Sequence, residues 1–448
     1  MIIELLLLFA LCIALGAFAG LMPGITPLIP LLLILPLIKN FSAEILLIFW
    51  ACYISVSQYY GSVSALLLKV PGETSSLPVL AASRDIVSTR NIIRSYRLTA
   101  MGSLIASLIG IAGLAIFFFW LENLWPHLFS TRITVIFLSV IFAMMLIINR
   151  QYLLNLSLIT LGLLISNLPD IYSITSMCGE NSWWCFSLKP TDFMLAIMCL
   201  YAVPYFFVDT NHFNARRLSR WTNLSWKPLL KFWPVAGRHG ILGFLVGFVP
   251  GMGVPLSSNI SATLESNANP KRRLRIMCAA ESSNNASIIS CMIPFLFLGI
   301  PITATEMLMD QWLVINKAMT VNAELMYSTM DLAGLKIQFS TGLLLCLSMT
   351  CIVCFFLTSR FINLYSSIQK IPASILGNLI KFLMLIFFAM TLYYAELSIS
   401  STIFTILVFS AIGIWAVKKN RDVIALPISL MIGSYAVQKF ITAYQLWG

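Results

Sequence analysis

Long runs without charge recur along this chain and decide most of what it can become. Ile133 to Ile148 and Ile399 to Val417 contain no charged side chain. As helices, such runs reach, or nearly reach, across roughly 30 Å of hydrocarbon. In lipid every backbone polar group needs a partner within the protein, which leaves helices as the form open to runs of this kind. Only 10% of the residues are charged, against about 25% in soluble chains. The expected fold class is an all-α polytopic membrane protein. The net charge of +11 fits the bias of basic residues toward cytoplasmic loops, so nucleic acid is not an expected partner. Met1 to Leu15 lacks a basic start and a small-residue cleavage site, and reads as the first membrane element.

Two breaks of the same form interrupt this apolar background. Gly16 to Gly24 reads GAFAGLMPG, and Gly243 to Gly251 reads GFLVGFVPG. Each break is flanked by apolar arms: Leu5 to Met22 and Ile25 to Ile38, then Ile241 to Val249 and Val254 to Leu264. Several arms are too short to cross alone, so each pair is expected to form a re-entrant helical hairpin. A second break follows each at a similar distance, Val70-Pro71-Gly72 and Gly299-Ile300-Pro301. Four ordinary crossings complete each half. They are expected at about Leu98–Trp120, Ile133–Ile148, Tyr152–Leu168 and Thr191–Val208, then Ser340–Leu357, Ser374–Tyr394, Ile399–Val417 and Val423–Ile441.

With the long interrupted crossing that follows each hairpin, each half has five full crossings, and an odd number makes the second half enter from the opposite side, an inverted-topology repeat. Residues 1–208 form the first repeat, 209–239 an interfacial linker on the cytoplasmic side, and 240–448 the second repeat. The basic residues agree. Most of the 28, including Arg84, Arg90, Arg94, Arg97, Arg216, Arg217 and Lys271-Arg272-Arg273, share one set of loops, which is therefore cytoplasmic. Both termini then face the periplasm. So does the loop holding Cys178 and Cys185, where a disulfide is compatible with the compartment but not fixed by spacing. The other eight cysteines lie in apolar segments and behave as small hydrophobes. His127, His212 and His239 fall in loops and read as surface groups.

Proline inside a helix costs about 3 kcal/mol and frees backbone groups. In a membrane these survive only inside protein or beside a water-filled cavity. Taken singly, G-x-x-x-G is a packing face and a proline a kink. Their pairing at matched places points instead to a pre-formed site. Helix starts at the tips favour an anion. The expected solute-binding residues are Pro23, Gly24, Thr26, Tyr60, Gly61, Ser62, Gly72, Thr74, Gly251, Gly253, Ser257, Asn284, Asn285 and Thr303. Glu73, Glu281, Glu306 and Asp310 are acidic residues in or near apolar segments, where such groups are functional candidates. Glu73 and Glu281 adjoin the breaks and are the candidates for a coupling ion; a loop-end carboxylate or an arginine partner is the alternative for each. No metal cluster, catalytic residue or cofactor motif is evident.

At these motifs the sequence resembles the large membrane subunit of the tripartite tricarboxylate transporters. The resemblance is carried by Gly20 to Thr26, Tyr60 to Thr74, Gly247 to Gly253, Glu281 to Ala286, and Pro294 to Ile302. Thr26 and Ile302 stand where that family has glycine, and Glu73 where it has a small polar residue. The resemblance implies a secondary transporter of the bacterial inner membrane importing a small carboxylate or similar organic anion on a proton or sodium gradient. It also implies a periplasmic binding protein and a small four-helix membrane subunit as partners. A homodimer fits the scaffold helices, and membrane lipid surrounds the whole. The alternative is a flippase for an anionic lipid carrier such as a polyprenyl phosphate, since helix starts hold phosphate equally well. A membrane-embedded enzyme is the weakest reading, because no Ser–His pair or His/acid metal pattern sits in the apolar segments.

Overall fold

The computed structural model describes residues 2–21, 27–67, 77–83, 89–120, 131–147, 151–175, 195–196, 199–200, 203, 227–249, 253–268, 272–317, 319, 321, 323–332, 335–368, 378, 382, 385, 389, 399–419, 421, 423 and 425–447. The Cys178/Cys185 loop, His127, His212, Glu73 and most of the expected crossings at Thr191–Val208 and Ser374–Tyr394 lie outside these residues.

The chain divides into two compact units, each discontinuous in sequence. The first combines Met1–Glu122, Thr210–Gly299 and Val321–Leu376; the second combines Asn123–Asp209, Ile300–Thr320 and Gly377–Gly448. Each unit therefore draws on both halves of the chain.

The first unit contains α1 (Ile2–Leu21), α2 (Leu28–Ile34), α3 (Ala43–Leu67), α4 (Leu77–Ser83) and α5 (Thr89–Trp120). The second unit's α6 (Thr131–Ile147) and α7 (Tyr152–Thr175) come next in the chain. The first unit resumes with a 3-10 turn at Lys227–Phe232, α8 (Trp233–Val246), α9 (Gly253–Ala268) and α10 (Arg273–Leu298). The second unit holds α11 (Ala304–Lys317), and the first unit closes with α12 (Ala323–Tyr327), β1 (Thr329–Leu332), β2 (Leu335–Gln338) and α13 (Phe339–Ile368). The second unit ends with α14 (Ile399–Lys419) and α15 (Ala425–Trp447).

Three helical stretches are long and apolar enough to cross a membrane among the described residues: Ile3–Leu21, Asn91–Phe119 and Phe339–Thr358. At about 1.5 Å per residue, the 32 residues of α5 outreach the hydrocarbon layer. Leu6, Leu7, Ile116, Phe119, Leu345 and Phe356 are exposed on these helices, an arrangement that water would penalise and acyl chains would not. Two features depart from the expected elements. The 209–239 linker is partly helical, since α8 begins at Trp233. An antiparallel hairpin, with Thr329 opposite Gln338, interrupts the all-α pattern just before α13.

Close contacts give the directions of the helices in the first unit. Cys12 lies against Phe49, Gly16 against Tyr53 and Val56, and Gly20 against Ser57 and Tyr60. Both residue numbers rise together, so α1 and α3 run in parallel. Gly342 of α13 meets Ile48, and Cys354 accepts a hydrogen bond from Tyr60, so α13 shares that direction. In the same way Gly243 meets Ser283 and Gly247 meets Ser287 and Ser290, which makes α8 and α10 parallel. Gly102 meets Cys278 and Ser282, and Gly110 meets Ala286 and Ile289, so α5 joins them. The two sets run oppositely. Trp50, near the start of α3, stacks edge-on against Phe295, near the end of α10, at 5.4 Å. At their other ends Tyr59 and Tyr60 share a buried cluster with Met277 and Ala280.

The paired glycines explain how these helices approach. A side chain at Gly20 would strike the Ser57 carbonyl, and one at Gly247 would strike Ser290 Oγ. Small residues let membrane helices pack backbone to backbone, where dispersion replaces the missing hydrophobic drive. Helix α9 turns back on α8: Gly253 meets the Gly247 backbone while Glu265 meets His239. The α10 helix ends where Gly299 adopts φ 62° and donates its N–H to Phe295 and Pro294, a left-handed cap that L side chains resist.

In the second unit, α7 and α15 pack through Gly162 against Ser429 and Gly433 against Ser166.

Candidate solute-binding site

Helix α10 is buried from Ile276 to Phe297, including Glu281, Ser282, Ser283, Asn284, Asn285, Ser287 and Ser290. A stretch this polar is a poor choice for a lipid-facing helix and a costly one for a dry core. Burial without a partner costs about 1–3 kcal/mol per polar group. Part of the demand is met across to α5. Asn285 donates through Nδ2 to Ser103 Oγ at 2.9 Å and to Glu281 Oε1 at 3.1 Å, and Ser103 donates to Glu281 Oε1 at 3.2 Å. Glu281 is thus a carboxylate 1% exposed, ringed by neutral donors.

Other polar atoms on these helices have no partner. Ser57 Oγ and Ser62 Oγ on α3, Ser261 Oγ on α9, and Ser283 Oγ, Asn284 Oδ1 and Asn285 Oδ1 on α10 are buried without a hydrogen bond among the described residues. Ser57 lies one turn before Gly61, which is buried although a Cβ added there would meet no atom within 4 Å. Unsatisfied hydroxyl and amide oxygens on three helices can accept from a cation or water, and the hydroxyls can donate to a carboxylate.

The expected site residues fall into three groups. Pro23, Gly24, Thr26, Gly72, Thr74 and Gly251 lie outside the described residues. Tyr60, Gly61, Ser62, Gly253, Ser257, Asn284 and Asn285 all belong to the first unit. Tyr60 donates to the Cys354 carbonyl at 2.7 Å, and Ser257 to Val254 and Ser283 carbonyls at 2.9 and 3.4 Å. Gly253 faces the Gly247 backbone, so its smallness serves the α8–α9 turn. Thr303 lies in the second unit as the N-cap of α11: its Oγ1 accepts from the Glu306 N–H at 3.3 Å while Glu306 accepts from the Thr303 N–H at 2.9 Å. This is a capping box, and it accounts for Glu306 as well.

Sequence reasoning missed Ser103, Ser57 and Ser261. The signal was present for Ser103 and Ser107, both buried and one helical turn apart. It also misplaced His239, which is buried within α8 rather than on a surface loop. His239 Nε2 lies 3.1 Å from Glu265 Oε1, Arg275 Nε donates to Glu265 Oε2 at 2.8 Å, and Arg238 pairs with the same carboxylate. Burial raises the Glu265 pKa, but hydrogen bonds from Arg275 and His239 and the charges of Arg275 and Arg238 outweigh it, leaving about 2. Burial lowers that of His239 against the pull of Glu265. The cluster ties α8, α9 and α10 together at the end away from the Gly247–Gly253 turn. Seven of the eight described cysteines are buried, and Cys12 and Cys291 donate to the Phe49 and Ile288 carbonyls.

Helices of spanning length with apolar flanks, closed around a polar interior, define a polytopic α-helical membrane protein. More narrowly, the chain belongs to the tripartite tricarboxylate transporter TctA family, whose model matches residues 6–428; this is a family of transporters, not of enzymes. An uncharacterised 52.8 kDa protein in the TAR-I ttuC' 3' region of Agrobacterium vitis is 26% identical over 309 residues, covering 64% of this chain and 59% of that protein. The chain therefore matches less than two thirds of that relative's length. No solved structure matches.

Proposed function

We propose that this chain is the large membrane subunit of a tripartite uptake system that carries a small carboxylate across the bacterial inner membrane, coupled to a proton or sodium gradient. The single observation that carries this reading is the set of buried oxygens on α3, α9 and α10, Ser57, Ser62, Ser261 and Ser283 Oγ and Asn284 Oδ1, that have no partner among the described residues. These groups would hold the solute, with backbone N–H groups at Gly24 and Gly251 completing an anion site as helix starts do. Glu281 would carry the coupling ion, and each charge moved through 100 mV supplies about 2.3 kcal/mol.

Two sets of parallel helices running in opposite directions support an inverted repeat, and the antiparallel α8–α9 pair supports a re-entrant hairpin. A periplasmic binding protein would deliver the solute, a small four-helix subunit would accompany the chain, and the scaffold helices would pair in a homodimer. The flippase reading gains one observation: an apolar cavity of about 420 Å³ between α1, α3 and α13, lined by Leu5, Phe9, Cys12, Phe49 and Met349. Among the described residues its lining holds no cation for a phosphate, so carboxylate uptake remains the leading reading.

The test is uptake of labelled citrate, a tricarboxylate, into sealed vesicles from cells expressing the chain together with its neighbouring genes. Accumulation that needs an imposed proton or sodium gradient is expected. Absence of saturable citrate and dicarboxylate uptake under every gradient would end the reading.

A further inference from the structure

A second cavity lies apart from the polar seam, in the first unit. It holds about 610 Å³ and is lined by Asn91, Lys231, Phe232, Arg272, Arg273 and Arg275. Three elements build it: the start of α5, the 3-10 turn before α8, and the start of α10. Among the described residues the lining carries four cationic side chains and no carboxylate. The nearby acid, Glu265, is already engaged by Arg275, His239 and Arg238. Lys231 Nζ stands 5.5 Å from the centre of the Phe232 ring, which holds part of the charge at the rim.

The position of the cavity points to its occupant. Asn91 is the first residue of the spanning stretch Asn91–Phe119, which is longer than the hydrocarbon layer is thick, so the cavity lies at the headgroup end of α5. Leu230 and Trp233 are 58% and 64% exposed beside it. Further along α8, Ile241 and Leu245 are also exposed, four residues apart on one face. Tryptophan favours the membrane interface, and basic pockets beside membrane helices hold anionic headgroups. With water occupying about 30 Å³ per molecule, a lone phosphate would fill only a small part of this space.

We propose that this cavity binds the phosphate of an acidic membrane phospholipid of the phosphatidylglycerol type, with its acyl chains lying against the exposed Leu230, Trp233, Ile241 and Leu245. Such a lipid would bridge the base of the α8–α9–α10 group to α5. This inference is independent of the transported solute.

The test uses the full chain in an uncharged detergent, titrated with dioctanoyl phosphatidylglycerol, dioctanoyl phosphatidylcholine or inorganic phosphate, with the thermal midpoint as readout. Phosphatidylglycerol should raise the midpoint saturably and phosphatidylcholine should not. Arg272→Gln with Arg273→Gln should weaken the phosphatidylglycerol response about thirtyfold, given the contribution of each basic residue to anionic lipid. Arg272→Lys with Arg273→Lys should retain it. Removing the same charge elsewhere, by Lys418→Gln with Lys419→Gln, should leave it unchanged. If the glutamine pair does not fold, Lys231→Gln alone should weaken the response about fivefold. An equal response in the charge-removed pocket variants, or an equal effect of phosphatidylcholine, overturns the proposal. Inorganic phosphate binding as tightly as the lipid overturns it too, because the ligand is then the free anion.

Discussion

Asn285 of α10 donates to Ser103 of α5 at 2.9 Å, across 182 positions of chain, and both side chains converge on the Glu281 carboxylate. Its neighbour Asn284 is as deeply buried, and the Oδ1 of each lacks a partner among the described residues, but of the two it is Asn285 that donates to the carboxylate. Two adjacent asparagines thus have separable roles. Asn285→Ala should lower stability by about 1–3 kcal/mol, because it strips donors from a buried carboxylate. Asn284→Ala should leave the melting midpoint nearly unchanged and weaken solute affinity. Melting curves beside uptake kinetics for the two variants check this. Equal midpoint losses with unchanged affinity would contradict it.

Glu281→Gln keeps the size and most hydrogen bonds of the residue but removes its charge. If Glu281 carries the coupling ion, this variant should retain solute counterflow in proteoliposomes and lose gradient-driven accumulation. Loss of both activities together, with the fold intact, would give the residue a binding role instead.

Acid should loosen the base of the α8–α9–α10 group in two stages. The folded pKa of His239 is lowered, so the unfolded chain takes up its proton first and stability falls as pH drops below about 6.5. The Glu265 pKa is lowered to about 2, so its stabilisation is present above its ordinary carboxylate range and is lost as pH falls toward that value. The second stage should amount to a few kcal/mol at most, about 2–3, since Arg238 is largely exposed. Melting midpoints between neutral and acid pH will show it, and Glu265→Gln should flatten the lower stage.

Two glycines, Gly247 at the end of α8 and Gly61 on α3, should respond oppositely to the same change. Gly247→Ala drives a methyl into Ser290 and the Ser287 carbonyl and should destabilise by about 1–3 kcal/mol, as overpacking does. Gly61→Ala meets open space, so the fold should persist while uptake slows. Protein yield and melting in detergent, with uptake, distinguish them.

Thr303→Ala should cost about 1 kcal/mol through loss of the α11 cap, and Thr303→Asp should restore the midpoint. Solute affinity measured on both variants decides whether Thr303 has a second role. Restored stability with lost affinity in the aspartate variant assigns it to the site.

Much of this was legible in the residues. The runs bounded by Ile133 and Ile399 read directly as helices, and α14 begins at Ile399 as expected. The Gly299-Ile300-Pro301 break was equally readable, because a left-handed glycine followed by proline ends a helix by local sterics alone. The α8 start was not. Trp233 to Gly240 carries Arg238 and His239, and polarity made that segment look like loop until Glu265 supplied their partner.

By itself, the order of residues determined the membrane class, the helix ends at glycine and proline, the resemblance to the tricarboxylate transporters and the polarity of α10, because each depends on near neighbours in the chain. Tertiary structure alone decided that Ser103 meets Asn285, that Gly20 seats on Ser57 while Gly247 seats on Ser287, and that both halves contribute to each unit. Those outcomes depend on how helices far apart in sequence register against one another, and close packing between side chains sets that register.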